Sequence, residues 1–289
     1  MSETVRAYAK INLHLDITGI REDKYHNVET VMQSVSLFDT VTVRLIEDKK
    51  IVCECDVEGV PTDGKNIAVR AAELYLEHIK SKNGAHVKIE KRIPMAAGLA
   101  GGSTDAAATL VALNRLCGNA LSINELCAIG SRLGADVPFC IEGGCAYSDG
   151  KGDVLHPFPQ IPENTVFLVA CGGEGVSTPW GYGLMDRTYN NFCDYIPKGT
   201  ERLKNALLSS TPEDFSKHLF NIFEGPVLAE RPIAADIKRR MLEGGAIAAM
   251  MSGSGPSVYG IFKSKADANG VAERIRAQGW FAELAYPTK

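Results

Sequence analysis

Aromatic residues are scarce, 7% of 289 with only two tryptophans, and no stretch approaches the roughly 20 apolar residues a membrane-spanning helix needs. A helical membrane protein is therefore excluded. Neither sign of charge dominates: 31 Lys and Arg face 35 Asp and Glu, for a net charge of −4 and a pI near 5.9. A broad nucleic-acid surface would need a basic excess that is missing. There is no Cys-x-x-Cys pair and no His-Glu-x-x-His, so neither a zinc framework nor a dithiol redox site is expected. The eight cysteines carry no disulfide pattern either: Cys53 and Cys55 share one strand face, and Cys140 and Cys145 lie five apart. They read as reduced, mostly buried thiols. Residues 1–10 lack the apolar core of a secretory signal, and the expected setting is the cytoplasm. No internal repeat or low-complexity tract is present.

What remains is an ordinary globular balance, 45% hydrophobic and 23% charged, in a chain long enough for two domains. The glycine-rich stretch Gly143–Gly152 is the natural boundary, giving 1–150 and 151–289. Val5, Ala7, Ala9, Ile11, Leu13, Leu15 and Ile17 alternate with polar residues, which predicts a strand with one buried face. Lys10 and Asn12 then project from the same face, about 7 Å apart. Val28–Leu37 reads as a further strand, and Val41–Ile46 with Ile51–Asp56 as a hairpin. Helices are expected over Asn66 to Lys80, over the Ala- and Leu-rich run Ala106–Leu116, and after the capping box Ser122-Ile-Asn-Glu125. In the second half the pattern predicts strands at Val166–Ala170, Ile247–Met251, Val258–Phe262 and Phe281–Ala285. Helices are expected at Pro212–Phe223, Ile233–Leu242 and Lys265–Arg276, with a loop over Cys171–Pro179. The class is α+β.

Three runs could carry chemistry. Gly98-Leu-Ala-Gly-Gly-Ser-Thr-Asp105 opens a helix, and glycines there can turn backbone N–H groups toward one anion, helped by the helix dipole. No Gly-Lys-Ser/Thr follows, so it is not a Walker A loop. The plain alternative is a tight strand-to-helix turn capped by Ser103 or Thr104. Ser252-Gly-Ser-Gly-Pro-Ser257 is either a hairpin turn or a point of close backbone approach. Asp136, in Gly134-Ala-Asp-Val-Pro138, reads alone as a cap, and Lys10 alone as a lysine on a solvated strand face.

In order along the chain, Ala9-Lys-Ile-Asn-Leu13, Pro94–Ala107 and Met251-Ser-Gly-Ser-Gly-Pro256 resemble the three motifs of the GHMP small-molecule kinases. Arg21-Glu-Asp-Lys-Tyr-His26 and Gly134–Pro138 resemble segments of one branch. Its members phosphorylate the 2-hydroxyl of a cytidine-diphosphate-bearing methylerythritol in the non-mevalonate route to isoprenoids.

The resemblance implies a two-domain fold, with an N-terminal domain like ribosomal protein S5 domain 2, a ferredoxin-like C-terminal domain, and the active site in the cleft between them. It implies that Asp136 takes the substrate's hydroxyl proton while Lys10 orients the Asp136 carboxylate and offsets charge on the transferring phosphoryl. Pro94, Met95, Ala96, Ala97, Gly98, Leu99, Ala100, Gly101, Gly102, Ser103 and Thr104 would wrap the ATP phosphates, with Asn66 and Lys91 as further nucleotide contacts. Tyr25 would stack on the cytosine with Tyr182 opposite, and His26 would hydrogen-bond the base's edge. Asn12 and Thr178 would line the polyol site.

Mg²⁺ is expected with ATP. No metal ligand is assigned among the side chains, Ser103 being the hydroxyl open to that role. The implied partner is the small molecule, without nucleic acid or membrane, and monomer and homodimer both stay open. Another alcohol for a kinase of this superfamily, or a catalytically silent ligand-binding relative, are the alternative readings.

The chain departs from the family pattern at Ala100, where glycine is common and where a positive φ is not expected of alanine. Asp105 puts an acid close to the phosphate loop.

Overall fold

The computed structural model describes residues 1–209 and 211–289. Two compact units emerge, each assembled from separated stretches. The first holds Met1–Ala9, Phe38–Ile93 and Ala100–Gly143; the second holds Lys10–Leu37, Pro94–Leu99 and Gly144–Lys289. Division by chain order and division by compactness thus follow different lines. Two strands of unusual length, β1 (Ser2–Ile20) and β2 (His26–Ile46), each give one end to either unit.

In the first unit the strand order is β3 (Ile51–Cys55), β4 (Gly84–Glu90), β2, β1. The expected hairpin of Val41–Ile46 with Ile51–Asp56 does not form. β4 pairs antiparallel with β2 over Thr40–Ile46, and β3 pairs parallel with the far edge of β4. A four-residue link permits a hairpin but does not require one. β4 supplies Ala85, Val87 and Ile89, all fully buried, and takes the central place. Helices α1 (Ile67–His78), α2 (Gly101–Leu116), α3 (Ile123–Ser131) and α4 (Asp136–Glu142) cover this layer. Their alanines pack closely on it: Ala68, Ala71, Ala72, Ala106, Ala107 and Ala112 share one core with Val41, Val43 and Val87. The capping box of α3 is complete, Ser122 Oγ accepting from Glu125 N while the Glu125 carboxylate accepts from Ser122 N.

In the second unit β5 (Cys145–Asp149) pairs with the first part of β2, and β6 (Val154–Pro157) with β5. The glycine-rich stretch at 143–152 thus contains a strand and a turn. Next come β7 (Val166–Cys171), α5 (Thr178–Thr188), α6 (Glu201–Ser209), α7 (Pro212–Phe215), β8 (Phe220–Asn221), α8 (Glu224–Glu230) and α9 (Pro232–Glu243). They are followed by β9 (Ala248–Met251), β10 (Val258–Phe262), α10 (Lys265–Arg276) and β11 (Phe281–Ala285). β11, β7, β10 and β9 form an antiparallel sheet in that order. With α9 and α10 as crossovers, this is the ferredoxin-like arrangement. The helix expected over Pro212–Phe223 stops at Phe215, because Phe220 and Asn221 pair in parallel with His14 and Leu15 of β1. The loop expected over Cys171–Pro179 gives way to α5 at Thr178.

From Lys10 to Ile17 both faces of β1 are buried, not one. Ile11, Leu13, Leu15 and Ile17 lie on one side and Lys10, Asn12, His14 and Asp16 on the other. A buried polar row survives only where its groups find partners. Asp16 accepts from Tyr195 OH (2.7 Å) and Lys198 N (2.8 Å), yet burial still raises its pKa above the ordinary value. His14 Nε2 has no partner, and burial lowers its imidazole to about 4, so the ring is neutral. Among the described residues, no helix is long and apolar enough to cross a membrane.

Candidate active site

In the second unit the motif residues converge through backbone contacts. Lys10 N donates to Leu99 O at 3.2 Å, and Ser257 N to Ala97 O at 3.2 Å. Ser252 Oγ donates to Gly98 O (3.0 Å) and accepts from Asn12 N (3.3 Å), while Tyr259 OH donates to Asn12 O (3.0 Å). Asn221 Nδ2 holds the carbonyls of Met251 and Gly253 from behind. The turn between β9 and β10 is therefore both a hairpin and a brace for the Pro94–Leu99 loop. Gly98 has φ +76°, and a Cβ there would lie 2.1 Å from Ser252 O.

Lys10 is 4% exposed rather than solvated, and its Nζ donates to Asn12 Oδ1 at 2.6 Å. Asn12 Nδ2 donates to Thr30 Oγ1 at 2.8 Å, and Thr30 in turn to His14 O. The ammonium is thus aimed by a chain of neutral groups from two adjacent strands. Thr30 carries no motif, and only the position of β2 beside β1 brings it to Asn12.

The same unit holds the expected base-binding residues. Tyr25 lies on the turn joining β1 and β2, 61% exposed, with Lys151 Nζ 4.7 Å from its ring centroid. Asp23 Oδ1 accepts from Tyr25 N and from Arg21 Nε, which fixes the turn. Tyr182, on α5, places its ring 4.7 Å from His26, and His26 Nε2 is 2.6 Å from Asp186 Oδ1. Thr178 is the first residue of α5 and is exposed, beside the N-cap Ser177. Val176 N donates to Ala96 O, so the approach to α5 rests on the same loop.

In the first unit α2 begins without a side-chain cap. Ala100, not Ser103 or Thr104, is the N-cap, and it adopts φ +59° despite its Cβ. Ala96 is likewise at +50°. Thr104 Oγ1 donates to Tyr8 O instead, tying the first turn of α2 to β1. Gly101, Gly102 and Ser103 start the helix, and a Cβ on Gly102 would meet only Ile67, at 3.7 Å. The first N–H groups of α2 are thus free of a side-chain cap, as an anion cradle requires. Asp136 is the first residue of α4, following Ala135 rather than capping, and is half-buried; its charge suits that end of the helix dipole.

Asn66 and Lys91 are both engaged by the protein. Asn66 caps α1, its Oδ1 accepting from Ala68 N (2.9 Å) and its Nδ2 donating to Pro61 O (2.7 Å). Lys91, 6% exposed in its side chain, binds Asp39 and, at 2.8 Å, Asp105 Oδ2. Asp39 also accepts from the backbone N–H of Arg92 and Ile93. Burial opposes charge on Lys91, but the two carboxylates outweigh it and raise its pKa. Asp105 is pushed up to about 7, chiefly by burial and also by Asp39, against the pull of Lys91.

That raised value has a consequence for stability. Between the ordinary carboxylate value near 4 and about pH 7, the folded protein holds a proton on Asp105 that the unfolded chain releases. Stability from this group is therefore present at low pH and lost as pH rises through about 7. Asp105→Asn is expected to remove a slope of up to about 1.4 kcal/mol per pH unit across that window. Urea unfolding of both proteins from pH 4.5 to 8 reads it, and parallel curves would contradict the buried-acid assignment.

Comparisons with known proteins follow the same outline. Residues 66–144 match the GHMP kinases N terminal domain and residues 203–279 the GHMP kinases C terminal domain. The 4-diphosphocytidyl-2-C-methyl-D-erythritol kinase of Gloeobacter violaceus is 40% identical over 267 residues, 92% of this chain and 88% of its own. The enzyme of the same name from Alkaliphilus oremlandii is 40% identical over 271 residues, 94% and 91% of the two chains. A crystal structure of 4-(cytidine 5'-diphospho)-2C-methyl-D-erythritol kinase superposes with a TM-score of 0.80 at 33% identity, covering 98% of this chain and 99% of that one. With both halves matched and the motifs of β1, the Pro94–Thr104 loop and the β9–β10 turn in place, the chain belongs to the GHMP kinases.

Proposed function

We propose that this chain is the kinase that moves the γ-phosphoryl of ATP to the 2-hydroxyl of 4-diphosphocytidyl-2-C-methyl-D-erythritol. The observation that carries it is the buried Lys10–Asn12–Thr30 chain next to the braced Pro94–Leu99 loop, in a chain about 40% identical to kinases of that name. The substrate's 2-oxygen attacks the γ-phosphorus, the bond to the β–γ bridging oxygen breaks, and ADP leaves. Asp136 takes the hydroxyl proton. Lys10 orients the acceptor and offsets phosphoryl charge, its reach set by Asn12. Such a reaction needs positioning and charge neutralisation more than covalent help.

The loop from Pro94 to Thr104 binds the phosphates through backbone N–H groups, and the uncapped start of α2 supports that role. Lys91 acts there indirectly. Held between Asp39 and Asp105, it offsets carboxylate charge close to the phosphate loop. Asn66 shapes the same region by fixing the start of α1. Magnesium would arrive on the phosphates, where the Ser103 hydroxyl is a hard oxygen donor suited to it and the ion would offset phosphate charge. Tyr25, His26 and Tyr182 take the cytosine, and Thr178 lines the polyol site.

Incubation with ATP, Mg²⁺ and the cytidine substrate, followed by phosphorus NMR, is expected to show ADP and one new phosphomonoester. Tyr25→Ala is expected to raise KM for that substrate about tenfold, since base stacking is worth about 1–3 kcal/mol, and to leave KM for ATP unchanged. Turnover of mevalonate or homoserine in preference would instead assign another alcohol. Equal effects of Tyr25→Ala on both KM values would remove the stacking role.

A further inference from the structure

Asp186 lies one helical turn beyond Tyr182 on α5, so both side chains share a face of that helix. His26 sits against both: its ring is 4.7 Å from Tyr182, tilted by 34°, and its Nε2 is 2.6 Å from Asp186 Oδ1. Phe192 meets the His26 ring edge-on at 5.8 Å. The side chains of His26 and Asp186 are 11% and 34% exposed, so this hydrogen bond is partly buried.

An ionised carboxylate can only accept, so the shared proton belongs to Nε2. In the neutral ring Nδ1 then carries a lone pair, and it is the nitrogen left for a ligand. A lone pair takes a hydrogen bond from an exocyclic amine and is repelled by a carbonyl oxygen. Cytosine offers an amine at its 4-position, where uracil offers an oxygen.

We propose that Asp186 is a positioning residue that sets the tautomer of His26, and that this makes the base site select a 4-amino pyrimidine over a 4-oxo one. The proposal rests on the reading of His26 as the residue that meets the base's edge. Tyr182, fixed by the same helix turn, sets the plane against which that edge is read.

The test uses the full chain in three forms: wild type, Asp186→Ala, and Asp186→Asn, whose amide oxygen can still accept from Nε2. Wild type is expected to bind CDP at least about tenfold more tightly than UDP by calorimetry, the scale of one hydrogen bond made or opposed. Asp186→Ala is expected to bring that ratio close to one and to raise KM for the cytidine substrate about tenfold, with kcat and KM for ATP unchanged. Asp186→Asn is expected to restore most of the ratio. Nitrogen-15 NMR of the His26 ring reads the tautomer without any turnover: Nε2–H in wild type, a mixture in Asp186→Ala. An unchanged CDP-to-UDP ratio in Asp186→Ala, or Nδ1–H in wild type, overturns the proposal. Absence of kinase activity with normal CDP preference and the Nε2–H signal would instead sink the proposed reaction and leave this assignment standing.

Discussion

Asp136→Asn is expected to lower kcat by about 10²–10⁴-fold, the usual worth of a positioned general base, with KM for ATP essentially unchanged. The substitution keeps the size and shape of the side chain and removes the only capacity the mechanism asks of it, to take a proton. It also removes a negative charge from the first turn of α4, which costs about 0.3–1 kcal/mol of stability. That is too little to unfold a domain, so a melting curve close to wild type is expected beside the loss of rate. The proton's destination is tested by pairing it with Lys10→Met. If both residues serve one transferring group, the double variant is expected to be little worse than the poorer single one, because residues acting as a unit are not additive. Near-normal turnover in Asp136→Asn would force the search for another base. Independent, multiplying losses would separate Lys10 from the same step.

The alternation from Val5 to Ile17 made β1 legible, but nothing local said that Lys10–Ile17 would be buried on both sides. That depends on what packs against Asn12 and Asp16, namely Thr30, Tyr195 and Lys198, none of which is near in sequence. α5 is not legible because Pro179, Trp180, Gly181 and Gly183 are poor helix formers, and only its first two residues fall within the loop expected over Cys171–Pro179. It forms because Ser177 caps it and Gly181 lets it press on Ser254 and Phe223. The site divides the same way. Lys10, Asn12 and the glycine loop stand in motifs and could be read directly. Asp39 and Asp105 could not be joined to Lys91, since the three lie on β2, α2 and the segment after β4, and only the fold gathers them. Asp186 had a signal that was missed: it follows Tyr182 by four residues, the spacing that shares a helix face.

Gly98→Ala is expected to be far more damaging than its one added methyl suggests. Its left-handed φ would cost a side chain about 1–2 kcal/mol, yet Ala96 and Ala100 carry that cost nearby, so conformation alone does not decide the outcome. The neighbour decides it. The new Cβ would stand 2.1 Å from Ser252 O and 3.1 Å from Gly255 N, both backbone atoms that no rotamer change can move aside. Gly253 faces Gly98 from the other loop with equally little room, its own Cβ position 2.9 Å from Gly98 O. Relief requires the two loops to part, which breaks the Ser252 Oγ to Gly98 O bond and loosens Asn12, whose N–H the same hydroxyl receives. Overpacking of this kind costs about 1–3 kcal/mol, giving about 2–5 kcal/mol in all, a large fraction of the roughly 5–15 kcal/mol that holds a domain folded. Gly102→Ala is the matched control: its Cβ meets only the Ile67 side chain, and alanine suits a helix better than glycine by about 0.5–1 kcal/mol. That variant is expected to keep or gain stability while KM for ATP rises, because the methyl would stand in the proposed phosphate site. Urea midpoints and ATP titrations of the two variants separate the glycine that joins the loops from the glycine at the proposed phosphate site. A Gly98→Ala protein with the wild-type midpoint would show that the two loops do not touch.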